Sequence, residues 1–267
     1  MRRHTLSNAD TVIAALRTGF DRLAEFVRKF DDEALAGPSA ASEWDIATVL
    51  SHLGSGAEIM TNTIQLALDD KTAESDFNQK VWARWDSSSR QEQAAGFLTW
   101  NQKLTTLFES LDGDQRENLR IDLGYLPAPA DVATVARLRL SELSYHSWDV
   151  RSIADPAATL DGDAVPHLLD IATSNLGWIT RPANLNGQEA TLTVATTNPA
   201  TEFALRLADP VSIDPIPAEQ PDGSLTLPAE AWLRLVAGRL DADHTPVSAG
   251  LTGPIAWQTL RAAFPGY

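Results

Sequence analysis

The stretch "ARLRLSELSYHSWDV", Ala136 to Val150, sets charged and ionisable side chains where a helix is expected to bury apolar ones. Val132, Val135, Ala136, Leu143, Val150 and Ile153 recur at helical spacing and define one apolar face. Arg139 and His146 fall inside that face, and Asp149 lies on its flank. Glu142 precedes His146 by four residues, so the two side chains leave the same side of the helix one turn apart and can meet at one point. Buried charges are costly unless paired or metal-bound. The helix alone leaves two readings open. One is an internal ion-pair network that joins Arg139 to Glu142 or Asp149, with His146 hydrogen-bonded to either. The other is half of a metal site.

The rest of the chain narrows the setting. With 267 residues, 43% hydrophobic and 21% charged, it has the composition of a soluble globular protein with material for two ordinary domains or one large one. A net charge of -15 repels phosphate backbones and anionic lipid surfaces, which argues against nucleic-acid and membrane partners. The opening "MRRHTLSNADTVIAAL" has no uninterrupted apolar run of the signal-peptide kind, and no later segment is apolar for long enough to span a bilayer. A cytoplasmic protein is expected. There is no cysteine, which excludes disulfides, a thiolate nucleophile and cysteine-based zinc sites. A metal must be held by His, Asp or Glu, and thiol chemistry needs a thiol from outside.

Hydrophobic spacing predicts four long helices. Leu6, Val12, Ile13, Leu16, Phe20, Leu23, Val27 and Phe30 mark the first, from a cap at Ser7 or Asn8. "EWDIATVLSHLGSGAEIMTNTIQLAL" forms the second, with Asp45 as its N-cap. A long polar connection, carrying a short helix around Asn78 to Trp85, leads to a third from about Gln91 to Leu111. The fourth starts after Asp131. A four-helix bundle over residues 1–155 is the expected architecture, a fold that places metal sites among inward-facing side chains.

Beyond Ile153, "ADPAATLDGDAVP" reads as a linker, and a fifth helix follows over about Ala164 to Trp178. "EATLTVAT", "EFALRLAD", "VSID" and "GSLTLP" are short alternating runs separated by turn dipeptides. With two more helices, in "PAEAWLRLVAGRL" and "GPIAWQTLRAAF", they predict a smaller α+β domain over residues 164–267.

His52, on the second helix, supplies a possible partner for Glu142 and His146, since it can face the bundle interior. Two histidines and a carboxylate leave a fourth position for water or substrate, as in catalytic rather than structural zinc sites. Taken singly, His52 also reads as a satisfied, partly buried histidine.

"SEWDIATVLSHLGSGAEIM" together with "RLRLSELSYHSWDV" resembles the mycothiol-dependent maleylpyruvate isomerase family, whose metal-binding domain is a DinB-like four-helix bundle. The family's tryptophan ahead of a histidine-bearing helix is matched by Trp44 and His52, and its R-x-x-E-x-x-x-H-x-x-D pattern by Arg139, Glu142, His146 and Asp149. "WLRLVAGRL" followed by "VSAGLTGP" is similar to the family's carboxy-terminal domain. The resemblance implies that His52, Glu142 and His146 bind a divalent metal, zinc being preferred, with Arg139 and Asp149 as supporting groups.

It also implies mycothiol as cosubstrate, with a small electrophile or dicarboxylate as second substrate. Thiolate addition, bond rotation and elimination would give an isomerase; retention of the thiol would give an S-transferase. A dicarboxylate needs a cation, and Arg239 in "AGRL" is the first candidate, Arg234 the second. Arg239 reads equally as a helix cap or a partner of Asp241 or Asp243. Asp149 could orient a ligand imidazole or pair with Arg151. Trp82 and Trp85 could line the cleft or simply pack. A non-catalytic metal-binding or sensor module and a metal-dependent hydrolase remain the alternatives. The chain shows no P-loop and no G-x-G-x-x-G segment.

Overall fold

A computed structural model describes residues 8–72, 74–174 and 176–266. Leu6 and Ser7, assigned above to the start of the first helix, lie outside the described residues. The chain divides into two compact units, the first ending at Ala154 and the second beginning at Asp155.

The first unit is built on four long helices. α1 spans Asn8–Val27, followed by a single turn, α2, at Asp32–Leu35. α3 spans Ile46–Leu68 and α4 spans Phe77–Asp86. α5 covers Arg90–Ser110 and the short α6 covers Gly113–Asn118. A two-residue antiparallel ladder, β1 (Arg120–Ile121) with β2 (Ala130–Asp131), then delivers the chain to α7, Val132–Arg151. α3 packs chiefly on α5 and α1 chiefly on α7, and contacts of α1 with α5 and of α3 with α7 close the ring.

Side-chain caps start three of the four long helices, satisfying first-turn N–H groups that have no partner within the helix. The Asp45 carboxylate accepts from Thr48 N at 2.7 Å, and Asp131 accepts from Thr134 N at 2.7 Å. At α5, Ser89 and Glu92 form a reciprocal capping box. Phe20 of α1 meets Phe97 of α5 edge-on, with ring centroids 6.1 Å apart in the core. Each such fully buried ring contributes roughly 1.5–3 kcal/mol of transfer free energy.

Three details depart from the sequence reading. α1 stops at Val27, so Phe30 lies beyond it and meets Phe26 edge-on at 5.1 Å. Ile153 falls after the end of α7 and is exposed rather than part of its apolar face. The central part of α7 is buried nearly all round, Ser141, Ser144, Ser147 and Asp149 included, so burial extends beyond the one apolar face.

The second unit begins with α8 (Val165–Ser174) and α9 (Leu176–Ile179). Strands β3 (Ala190–Thr197), β4 (Thr201–Leu207), β5 (Ser212–Asp214), β6 (Gly223–Pro228) and β7 (Gly250–Thr252) form one sheet in the order β5-β4-β3-β6-β7. β3 and β6 run parallel, with Val194 opposite Leu225, and the other pairs are antiparallel. Ala190, Leu192, Val194 and Thr196 alternate inward along β3, the period expected of a strand with one buried face. α10 (Ala229–Val236) and α11 (Trp257–Ala263) complete the unit, and Trp232 of α10 meets Phe203 and Phe264 edge-on. β7, in the "VSAGLTGP" segment, was not read as a strand.

Candidate metal centre

α3 carries His52 in its second turn, and α7 carries Glu142 and His146 one turn apart. One ligand atom from each of the three residues lies within 4.8 Å of the others. His52 Nε2 is 2.8 Å from Glu142 Oε2, and His146 Nε2 is 3.8 Å from the same oxygen. Imidazole and carboxylate donors sit about 2.0–2.2 Å from a small divalent ion in tetrahedral geometry, which sets neighbouring donors roughly 3.3 Å apart. The two separations straddle that value, so small side-chain shifts suffice and the donor set fits such an ion.

Exposure differs across the trio. His146 is buried, whereas the side chains of His52 and Glu142 are 41% and 38% exposed. His52 therefore does not point into a closed bundle interior; the cluster opens to solvent, and small molecules can reach it.

His146 is the most constrained of the three. Its Nδ1–H donates to Asp149 Oδ2 at 2.8 Å, because an ionised carboxylate can only accept. This turns Nε2 toward Glu142 and leaves its lone pair available in the neutral ring. The Asp149 side chain that accepts this bond is fully buried, and Arg151 Nε donates to Ser147 Oγ at 3.2 Å.

Arg139 lies beneath the site, and the ion pair with Glu142 or Asp149 is not what holds it. Its Nη2 donates to the backbone carbonyl of Leu53 and to Asn101 Oδ1, each at 2.6 Å. Burial pushes its guanidinium down to about 10, with the Glu142 charge acting in the opposite sense, so it remains cationic at neutral pH. Burial raises the Glu142 carboxyl, but the hydrogen bond from His52 and the charges of His146, His52 and Arg139 outweigh it and hold the group below the usual glutamate value.

The sequence reading missed Asn101. It belongs to the buried side of α5, donates from Nδ2 to Phe97 O at 2.9 Å and accepts from Arg139. A lone amide between Phe97 and Leu104 on that face was the available signal. Glu58 was missed too. It is buried on α3 and accepts from Trp85 Nε1 at 2.8 Å and from the Arg84 guanidinium. Trp85 is thus a packing residue and does not line a cleft; its ring lies against Gly54 of α3 and Gly96 of α5. Trp82 is exposed.

In the second unit, Arg239 Nη1 donates to Ala237 O at the carboxy end of α10, the capping geometry considered above. Arg234, the second candidate, is only 2% exposed and is clamped to Glu230 and to the carbonyl of His244.

Residues 16–151, slightly more than half of the chain, match the family model described as the mycothiol maleylpyruvate isomerase N-terminal domain. The chain belongs to that family. The fold agrees along the whole length: a crystal structure of the mycothiol-dependent maleylpyruvate isomerase superposes with a TM-score of 0.64 at 13% identity, covering 100% of both chains. The structure of a histidine-to-alanine mutant of that enzyme matches with the same TM-score of 0.64, the same 13% identity and the same coverage. No curated protein sequence matches the chain. Among the described residues, no helix is long and apolar enough to cross a membrane.

Proposed function

We propose that the protein is a zinc-dependent enzyme that uses mycothiol as cosubstrate, in a maleylpyruvate isomerase-type reaction or as a mycothiol S-transferase. On this reading the first unit is a DinB-like metal-binding domain and the second is the family's carboxy-terminal domain. The observation that carries it is the convergence of His52, Glu142 and His146 at a solvent-open position, in a chain of this family.

A zinc ion held by two neutral imidazoles and one carboxylate keeps net positive charge and would stabilise a thiol at its remaining position as thiolate. The chain has no cysteine of its own, so on this reading the thiol comes from outside. Asp149 keeps the His146 ring in one tautomer, and the low-lying Glu142 carboxyl stays ionised at neutral pH. The exposed side of His52 leaves room for the thiol and a second substrate.

In the isomerase reaction, sulfur adds to one carbon of a conjugated cis double bond and the π electrons move onto the activating carbonyl. The resulting single bond rotates, and expulsion of the thiolate restores the double bond as trans, with no net change in atoms or electrons. In the transferase reaction the new carbon–sulfur bond is kept. Arg239 is proposed as the partner of a substrate carboxylate, which a guanidinium can bind bidentately.

Elemental mass spectrometry of the purified chain beside His146→Ala tests the metal. About one ion per chain, absent from the variant, is expected. The loaded protein is then given maleylpyruvate, and separately a panel of electrophiles, with and without mycothiol. Turnover only with mycothiol supports the proposal. Ester or amide hydrolysis without thiol would favour the hydrolase, and bound metal with no turnover the binding module.

A further inference from the structure

The two metal-ligating histidines are not held alike. His146 has the buried Asp149 carboxylate on its second nitrogen, the usual way in which a ligand imidazole is kept in one orientation. His52 bonds only through Nε2, to Glu142; among the described residues no protein group accepts from its Nδ1. An ion would take that Nε2 in place of Glu142, and no hydrogen bond at the second nitrogen then sets the orientation in which the His52 ring meets it.

Trp44 is placed to do so. Its ring centroid lies 5.3 Å from that of His52, with the planes tilted by 46°, and 5.8 Å from that of His146, nearly parallel at 24°. The two imidazoles meet each other edge-on at 4.8 Å, so the three rings form one aromatic cluster around the ligand atoms. Packing does not account for this position. The residue is 36% exposed, among the large apolar side chains left at the surface, and the rings it covers belong to the site.

The backbone around Trp44 is held from several sides. Ser39 N and Ser39 Oγ both donate to Trp44 O, and Trp44 N donates to Ala41 O at 3.1 Å. Ile46 N donates to Gly37 O at 3.0 Å, closing the loop. The next residue, Asp45, is fixed to α3 by Thr48 and to α5 by Arg90, whose Nε donates to it at 2.9 Å. Ala40 N donates to Asp149 O at 2.9 Å, tying the loop to the residue that orients His146. The preceding Glu43 holds a left-handed backbone with φ of 69°, a conformation that a non-glycine residue keeps only where its surroundings enforce it.

We propose that Trp44 is a positioning residue for the metal: its indole replaces the missing second-nitrogen partner of His52 and, with Asp149, holds both imidazoles so that their Nε2 atoms converge with Glu142. This rests on the metal-site reading above. Aromatic contacts of this kind are weak singly but act on two ligands at once.

The test uses the full chain and its Trp44→Phe, Trp44→Leu and Trp44→Ala variants, with zinc affinity measured by competition against a chromogenic chelator and folding by circular dichroism. Trp44→Phe keeps a ring and should bind within about threefold of the unaltered protein, whereas the folded Leu and Ala variants should bind about tenfold more weakly. Their cobalt(II) complexes should also show an altered visible d–d spectrum, a coordination change that a merely structural role would not produce.

The unaltered chain gives a reading independent of the truncated variants. Cobalt(II) should quench the part of the tryptophan emission that Trp44→Phe lacks. Wild-type affinity and an unchanged cobalt spectrum in folded Trp44→Leu or Trp44→Ala, or an unquenched Trp44 component, overturn the proposal. If the unaltered chain binds neither ion, the metal reading itself fails; if it binds and the variants match it, only the role of Trp44 falls.

Discussion

The Asp149 carboxylate, wholly buried, accepts the Nδ1 hydrogen of His146 at 2.8 Å. This bond fixes the tautomer in which the other ring nitrogen, Nε2, faces the site. Asp149→Asn keeps the shape and can still accept from Nδ1, but it removes the charge. Metal affinity should fall about 10- to 100-fold with little change in the circular dichroism spectrum. A chelator competition reads this directly, and an unchanged affinity would reduce Asp149 to packing.

α3 and α5 approach closely because both carry glycine against the Trp85 ring. A Cβ at Gly54 would lie 2.1 Å from that ring and one at Gly96 would lie 2.6 Å from it. The ring cannot simply swing away, since its Nε1 donates to buried Glu58. Gly54→Ala should therefore destabilise the protein by about 1–3 kcal/mol in urea denaturation. Combined with Trp85→Leu, which vacates the clash, the loss should be clearly less than the sum of the two single variants.

The same residues show why some of the molecule was legible in sequence and some was not. Helical period and side-chain caps are local, so α3 and α7 could be placed from Asp45 and Asp131, and the one-turn spacing of Glu142 and His146 needed only the wheel. The partner of Arg139 is a backbone carbonyl on another helix, and carbonyls leave no trace in residue identity. The Trp85 wedge depends on glycines 42 positions apart (54 and 96) meeting across a helix pair. Strand β7 is three residues long, too short to show alternation, and is fixed by its pairing with β6. The four-helix pattern therefore emerged from periodicity, whereas which helix faces which is a tertiary outcome.

Asp45 should carry a pH-dependent share of the stability. Burial raises its carboxyl, but hydrogen bonds from Thr48 and Arg90 outweigh that and leave it below the usual aspartate value. A depressed carboxylate stabilises the fold above its unfolded pKa, near 3.9, and loses that contribution as pH falls through the lower folded value. Asp45→Ala should cost about 1 kcal/mol near neutral pH. The gap between variant and unaltered chain should be constant from neutrality to about pH 5 and narrow below about pH 4. Chemical denaturation across that range checks both statements, and a gap that widens in acid would contradict the assignment.

Metal should act on the first unit as a staple between helix pairs. α3 packs chiefly on α5 and α1 on α7, while α3 meets α7 less extensively, through ties such as Arg139 to Leu53 O. The candidate ligand set crosses that seam, with His52 on one side and Glu142 and His146 on the other. An ion bound only by the folded state stabilises it by mass action, about 4 kcal/mol when free metal exceeds its Kd a thousandfold. Thermal unfolding of the chelator-treated chain should therefore start at a lower temperature, and zinc should restore it in a concentration-dependent way. His146→Ala should melt at one temperature with or without the ion, because the remaining pair no longer surrounds it. A zinc shift of equal size in His146→Ala would place the stabilising ion elsewhere in the molecule.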